Sequence, residues 1–454
     1  MSLKKSNCSI FSLLPVRLLL VALGWSQLVS AQPIKVEVVQ TSNGWQLHRG
    51  GTPYYIKGGG GQVYLDKLVE IGGNSIRTWS LENAEKYLDE AHKLGLTVTM
   101  GLWVQHERHG FDYNDEAAVK KQLEYFTSKV KQLKDHPALL MWGIGNEVDL
   151  FYSNTKVWNA IQDIAKMIHE VDPNHPTTTV TAGLDSTEVS LVMKNAPDID
   201  IYGINTYGDL KKAVDEVSRF GWKGPYFIAE WGPNGHWEVA KTVWGAPIEQ
   251  TSTEKAASYA ERIRYIMADS AQCIGSYVFL WGQKQETTST WYGLFSEDGK
   301  STAPIDELHH LWRLSAPNNS SPAIQGFGID KDGSQPKDNI LISGEKYRVK
   351  AMFTDPDNDK VKVKWQIVSE STDLKAGGDA ETAPPAIPGL IKARSGSEMQ
   401  FVTPKREGAY RIYVSGYDGQ GHMAYVNIPF YVRPNPNAQP PVQLKKRTLQ
   451  FEYE

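Results

Sequence analysis

Cysteine is almost missing from this chain. Of 454 residues only Cys8 and Cys273 are cysteine, too few for a disulfide framework. Lys4, Lys5 and Arg17 precede the apolar run Leu18–Trp25, and the small-residue site Val29-Ser-Ala31 follows it. That is the pattern of a secretory signal peptide cut after Ala31. Cys8 lies before the apolar run, so it is not the lipid-anchored cysteine of a lipoprotein. Cys273 then remains alone beside an apolar run, where a buried structural thiol is expected and not a nucleophile. An excess of one charge is also missing. The 48 basic and 52 acidic residues leave a net charge of −4, which argues against nucleic acid or an anionic membrane surface as the main partner. The run Leu18–Trp25 is too short to span a bilayer, so no membrane insertion is expected after cleavage. The expected location is periplasmic or extracellular. There are no internal repeats and no low-complexity block.

Regular alternation is what the chain does have. Residues 32–53 alternate polar and apolar around the turns Ser42-Asn-Gly44 and Arg49-Gly-Gly51, which predicts a small β-hairpin. Eight strand-like runs follow within 54–314. They are Tyr54–Lys57, Asn74–Trp79, Thr97–Trp103, Leu139–Asn146, Thr177–Thr181, Ile199–Asn205, Tyr226–Ala229 and Gly275–Trp281. Helix-period segments separate most of them, among them Glu82–Leu94, Glu116–Lys134, Lys156–Val171, Leu210–Phe220 and Thr253–Ser270, with a last helix at Ile305–Leu314. This alternation predicts an α/β fold, a (β/α)8 TIM barrel. Residues 315–322 read as a linker. Short alternating stretches over 323–433 predict an immunoglobulin-like β-sandwich, and the Pro- and Asn-rich residues 434–454 a disordered tail.

Two carboxylates stand out. Glu147 closes the run beginning at Leu139, and Glu230 sits in Tyr226-Phe-Ile-Ala-Glu-Trp-Gly232. Barrel enzymes keep their chemistry at the C-terminal ends of the strands. Carboxylates topping strands four and seven suit a glycosidic bond, which needs one group to protonate the leaving oxygen and another to attack the anomeric carbon about 5–5.5 Å away. A single glutamate at a strand end is more often a cap or a salt-bridge partner. Two together, with Asn146 beside one and Trp231 beside the other, favour chemistry.

With these motifs in place, Gly145-Asn-Glu147 and Glu230-Trp-Gly232 resemble the clan of retaining glycoside hydrolases that carry both catalytic glutamates on one barrel, families 2 and 5 among them. The resemblance covers about residues 45–314. It implies that Glu147 is the general acid/base and Glu230 the nucleophile. It further implies that Asn146 binds the sugar 2-hydroxyl, that Arg77 orients the nucleophile and keeps it ionised, that Tyr207 hydrogen-bonds it, and that Trp281 is the aromatic platform under the sugar. Trp103, His106, Trp231 and Trp237 complete the expected substrate-contacting set. Within the clan, a hairpin, a barrel and an immunoglobulin-like domain are most similar to glycoside hydrolase family 158, which implies an endo-β-1,3-glucanase. Family 2 enzymes normally place β-sandwiches before the barrel, and about twenty residues between the leader and strand one do not hold one.

The leading expectation is an exported, retaining β-glycanase acting as a monomer on a polysaccharide or oligosaccharide by double displacement, without cofactor or metal. An exo-β-glycosidase, a transglycosylase using the same two carboxylates, and a non-catalytic glycan-binding protein are the alternatives. Long loops add His236, Trp244, Trp291 and Tyr292, each read either as a sugar contact or as loop packing. His106 and His109 lack the further ligands of a transition-metal site. Gly58-Gly-Gly-Gly61 lacks the Lys-Ser/Thr of a phosphate loop and is expected as a tight strand-to-helix turn. Asp355-Pro-Asp-Asn-Asp359 is either a solvated acidic turn or a calcium loop. Trp365 reads as sandwich core.

Overall fold

The eight apolar runs pair edge to edge, all parallel, into a closed barrel in the computed structural model, which describes residues 32–333 and 337–437. The proposed leader and most of the tail lie outside the described residues. The barrel strands, in chain order, are Ile56–Gly60, Ser75–Arg77, Thr97–Leu102, Leu139–Ile144, Thr177–Ala182, Ile201–Asn205, Tyr226–Trp231 and Cys273–Val278. The sixth and seventh strands pair with each other, as do the eighth and first. Strands three, four, seven and eight are buried along their whole length, which is why they read as unbroken apolar runs and not as alternating ones. Helix starts are equally local. Asp115 accepts from the N–H groups of Ala117 and Ala118 at the head of Glu116–Leu133. Thr251 and Glu254 form a reciprocal capping box for Ser252–Ala268.

The N-terminal segment differs in detail from a two-stranded hairpin. It forms three antiparallel strands, Val36–Thr41, Gly44–Arg49 and Thr52–Tyr54. Val36 and Leu47 pack with Ile56, Leu140, Ile201 and Phe227, closing the end of the barrel away from the strand C-termini. Tyr54 thus belongs to this cap, and the first barrel strand starts at Ile56.

Gly58–Gly60 lie inside that first strand and not in a turn. A Cβ on Gly58 would sit 2.1 Å from the Tyr277 ring, and one on Gly59 2.9 Å from the Trp281 ring. The first strand gives up its side chains so that aromatic rings of the eighth can fill the barrel.

The C-terminal part is two facing sheets. One holds Lys362–Ser369, Gly408–Tyr417 and His422–Arg433, with Ile340–Ile342 beside the last. The other holds Ala323–Asp330, Lys346–Thr354, Glu398–Val402 and Ile391–Ser395. Trp365 is buried between them with Ile412, Phe401 and Phe430, as a core residue. The barrel and the sandwich share more than a linker. Ser301–Thr302, following the eighth barrel strand, pairs parallel with His422–Met423 of the first sheet. At the junction, buried Lys255 pairs with buried Glu249 at 2.6 Å and donates to the Thr290 and Trp291 carbonyls and the Tyr425 hydroxyl. Burial alone would raise the Glu249 carboxyl, but the Lys255 ammonium beside it holds it below the usual range. Asp355 and Asp359 bring carboxylate oxygens within 4.8 Å of one of Asp418. Asp355 and Asp418 also accept backbone N–H groups of their own turns.

Candidate active site

A cleft of about 870 Å³ opens at the C-terminal ends of the strands, and Glu147 and Glu230 both line it. Their surroundings differ. Glu230, within the seventh strand, is only 5 % exposed. Its Oε1 accepts from Arg77 Nη1 at 2.8 Å and Trp79 Nε1 at 2.7 Å, and its Oε2 from the Tyr207 hydroxyl at 3.1 Å. Three donors, one a guanidinium, stabilise a carboxylate. Burial, reinforced by the Glu230 charge, pushes the Tyr207 phenol well above its ordinary range, so it stays a protonated donor.

Glu147 lies three residues past the fourth strand, in a left-handed backbone conformation with φ 50°. It accepts one hydrogen bond, from Asn205 Nδ2 at 2.8 Å. Burial, and next the neighbouring Glu230 charge, push its carboxyl from 4.5 up to about 8; the Asn205 bond opposes this. The Glu147 carboxyl therefore keeps its proton to higher pH, while three donors surround the Glu230 carboxyl.

Asn146 joins the two. Its Oδ1 accepts from Arg77 Nη2 at 2.6 Å and Asn205 Nδ2 at 3.2 Å. Guanidinium is a donor only, which fixes the amide orientation and leaves Nδ2 for a ligand hydroxyl. Arg77 is 3 % exposed and also reaches the Ala229 carbonyl, so a single guanidinium ties strands two, four and seven together.

Five of the other expected contacts fall at the cleft: Asn146, Trp103, Tyr207 and Trp237 line it, and Arg77 braces it from below. Trp237 is 56 % exposed, a free aromatic face at the mouth. Three expected contacts need correction. Trp281 is fully buried, packed on Phe295 and over Gly59; the side-chain-free first strand draws the ring into the barrel. Trp231 is also fully buried, its ring turned to Tyr259 behind the strand, because it follows Glu230 and points to the opposite face. His106 is 1 % exposed and stacks between Trp103 at 4.7 Å and His109 at 5.3 Å. Burial and then the Arg108 charge lower it to about 4, so it is a neutral prop for Trp103. Trp291 packs inside the loops with its Nε1 donating to the Asn234 carbonyl, and Trp244 faces Tyr431 of the sandwich. Cys273 is buried, and burial raises its thiol to about 12.

Several residues at the site were not singled out from sequence. Trp79 lies two residues past the end of the second strand and donates to the same Glu230 oxygen as Arg77. Asn205 ends the sixth strand. Phe279, Glu286 and the segment Lys375–Asp379 of the sandwich also line the cleft. Eight carboxyl side chains line it against three lysines, and one of those, Lys284, is paired with Glu286 at 2.8 Å.

Residues 65–233 match the family model described as glycosyl hydrolases family 2, TIM barrel domain. A β-glucuronidase of Sus scrofa is 23 % identical over 140 residues, 30 % of this chain and 20 % of that protein. Among solved structures, a Bacteroides uniformis β-glucuronidase aligns with 88 % of this chain and 48 % of its own at 14 % identity and TM-score 0.49. A putative β-galactosidase from Bacteroides fragilis aligns with 88 % of this chain and 58 % of its own at 14 % identity and TM-score 0.48. The chain thus spans less than two thirds of the length of these relatives. The stretch that matches the family 2 barrel model includes both Glu147 and Glu230.

Proposed function

We propose that the protein is a retaining β-glycoside hydrolase whose acid/base is Glu147 and whose nucleophile is Glu230. The observation that carries this is the split environment of the pair: Glu147 raised to about 8 with one hydrogen-bond donor, Glu230 held by three. In the first step Glu147 gives its proton to the leaving oxygen while Glu230 attacks the anomeric carbon and the glycosidic C–O bond breaks. Oε2 is the better attacking atom, since Oε1 already accepts two hydrogen bonds. Once Glu230 is esterified its charge is gone and the Glu147 pKa falls. Glu147 can then take a proton from water as that water attacks, which releases the sugar and frees Glu230.

The substrate is proposed to be a neutral β-glucan. A cleft lined by eight carboxyls and three lysines disfavours the extra carboxylate of a uronide. For internal cleavage at β-1,3 linkages the support is the resemblance to family 158 in the order of domains; the comparisons speak for the family 2 type of barrel and lend nothing to that linkage. They favour a second reading, an exo-acting β-glycosidase. Product profiles decide between them, with laminarin, barley β-glucan, mannan and aryl monoglycosides, including a glucuronide, run in parallel. A ladder of short oligosaccharides from laminarin, absent with Glu147→Gln, supports the endo-glucanase. Silence on laminarin with release from a monoglycoside rejects it in favour of the exo-glycosidase. Near-normal turnover by Glu230→Gln rejects both. Export rests on the signal pattern alone, and sequencing the mature N-terminus for cleavage after Ala31 tests it.

A further inference from the structure

One wall of the cleft does not come from the barrel. Lys375–Asp379 lines the same cavity as Glu147 and Glu230, although it belongs to the C-terminal sandwich. Two loops of the barrel hold this strap. Arg108, in the loop after the third barrel strand, donates to Asp379 at 2.9 Å, and His109 lies 3.1 Å from the same carboxylate. From the second loop Lys284, after the eighth strand, donates to the Gly378 carbonyl at 2.8 Å, and the Thr287 N–H donates to Glu381 at 2.6 Å. The strap therefore links the two loops that flank the ends of strands one and two. Gly377 and Gly378 have φ of 61° and 71°, and a Cβ on Gly377 would come within 2.7 Å of Arg108 Nη2, so the backbone itself is seated against the barrel.

Under the strap sits a carboxylate that the bond-breaking step does not use. Glu286 is 7 % exposed and lines the cleft. Its Oε2 lies 2.8 Å from the Lys284 ammonium, so the two form an ion pair facing the cavity. Lys284 lies 5.7 Å over the Phe279 ring, and Phe279 packs edge-on against Trp79, the donor to Glu230, so the pair stands on the nucleophile's side of the cleft. An ammonium and a carboxylate side by side suit two neighbouring sugar hydroxyls, one accepting from Lys284 and the other donating to Glu286.

We propose that the sandwich strap and the Lys284–Glu286 pair together form a subsite for the neutral sugar on the nucleophile's side of the scissile bond. The sandwich is then a specificity element of the cleft and not a spacer. Asp379 and Glu381 act as positioning residues, and Glu286 touches the substrate. This rests on the glycosidase reading, and the test separates the two.

Full-length protein carrying Glu147→Gln is titrated calorimetrically with laminarihexaose and cellohexaose. Glu286→Gln, Lys284→Gln and the pair Asp379→Asn/Glu381→Gln are then added singly and in combination, each checked for an unchanged melting transition. Each is expected to weaken binding about tenfold, the effect of losing one charged hydrogen bond. The combination is expected to weaken it little further, because all act on one subsite. In the active chain the same changes should raise KM for hexasaccharide about tenfold and shift kcat less than twofold. Unchanged binding in a folded Glu286→Gln protein overturns the subsite, as does an equal loss of kcat and KM effects on every chain length. Persistent turnover by the Glu147→Gln parent overturns the glycosidase assignment instead, and no binding of either hexasaccharide by the parent overturns both.

Discussion

Replacing Glu147 by Gln should make the protein more stable, and only at neutral to alkaline pH. The carboxyl titrates at about 8 in the folded protein against 4.5 as the ordinary value. Burial is the main cause and the Glu230 charge the second. A folded-state pKa raised in this way means that the folded chain holds the proton more tightly than the unfolded one. The stability contributed by that proton is fully present below about pH 4.5 and is lost as the pH climbs to about 8. The shift corresponds to about 5 kcal/mol at 1.36 kcal/mol per unit. The carboxyl opens on the cleft, and solvent screening reduces this to about 2–3 kcal/mol. Gln keeps an oxygen that accepts from Asn205 and never ionises, so the variant escapes the loss. With roughly 400 ordered residues and an unfolding entropy of about 2.1 cal/mol/K each, the gain amounts to about 3 °C in Tm at pH 8.5. Scanning calorimetry of both proteins from pH 4 to 9 measures it. The curves should meet near pH 4, part progressively from about pH 5 and stay apart by a constant amount above about pH 8. A constant offset at every pH, or a Gln variant less stable at pH 8.5 than at pH 4 relative to wild type, would refute the argument that an acid is stored at this position.

The same acid should shape catalysis: kcat/KM falls as pH rises past about 8, where Glu147 loses the proton it must donate, and an alkaline limb centred below pH 6 would contradict this. Removing the second cause of its shift is a separate test. In Glu230→Gln the Glu147 carboxyl, followed by carbon NMR, should titrate clearly lower than in wild type, and an unchanged midpoint would deny the coupling. The buried Trp281 and the Glu230-bonded Trp79 should behave oppositely. Trp281→Ala should cost about 3–5 kcal/mol in urea unfolding with KM of the folded enzyme unchanged. Trp79→Phe should leave stability within about 1 kcal/mol and lower kcat/KM about tenfold or more through the lost Glu230 bond. Lys255→Met strands Glu249 in the interior and should cost about 3–5 kcal/mol, much of it recovered by adding Glu249→Leu; no recovery would mean that Lys255 acts by another route.

Much of the architecture was legible because it is local. Strand and helix positions follow from runs of apolar residues and from caps such as Asp115 and Thr251, and these are read within a few neighbours. Glu147 and Glu230 were legible for a related reason: the barrel brings strand ends to one mouth, so a carboxylate closing an apolar run points there, whereas Arg77, Asn146 and Tyr207 were picked out only through the resemblance to the glycosidase clan. Helix Leu65–Glu70 is short and begins without a side-chain cap, and carried no comparable signal. The strap was illegible for a different reason. Lys375–Asp379 is more than 220 residues from Glu147 along the chain, and what places it at the mouth is a set of long-range bonds to Arg108 and Lys284. No pattern within the sandwich reports those.

The misplacement of Trp281 and Trp231 teaches a sharper lesson about where a strand's aromatic goes. Trp231 and Glu230 are adjacent on one strand, so their side chains take opposite faces. If Glu230 lines the cleft, Trp231 must point away from it, and the pattern alone decided that. Trp281 required a fact about another strand. An aromatic at the end of strand eight reaches the cleft only if the barrel interior beneath it is already filled. Here the first strand offers Gly58, Gly59 and Gly60, which fill nothing, and the rings of Tyr277 and Trp281 occupy the volume their side chains would have taken. The cleft wall then falls to Phe279 and Trp79 instead. The glycine run and the buried tryptophan are one feature written in two places 220 residues apart. A Gly59→Ala chain makes the point testable. Its methyl would meet the Trp281 ring at about 2.9 Å, so the ring must shift toward the cleft or the barrel must open. Intrinsic fluorescence should show Trp281 entering a wetter environment, with a loss of about 1–3 kcal/mol. A Gly59→Ala protein with unaltered stability and emission would show that the barrel interior holds spare volume and that the first strand's glycines are not what bury the ring.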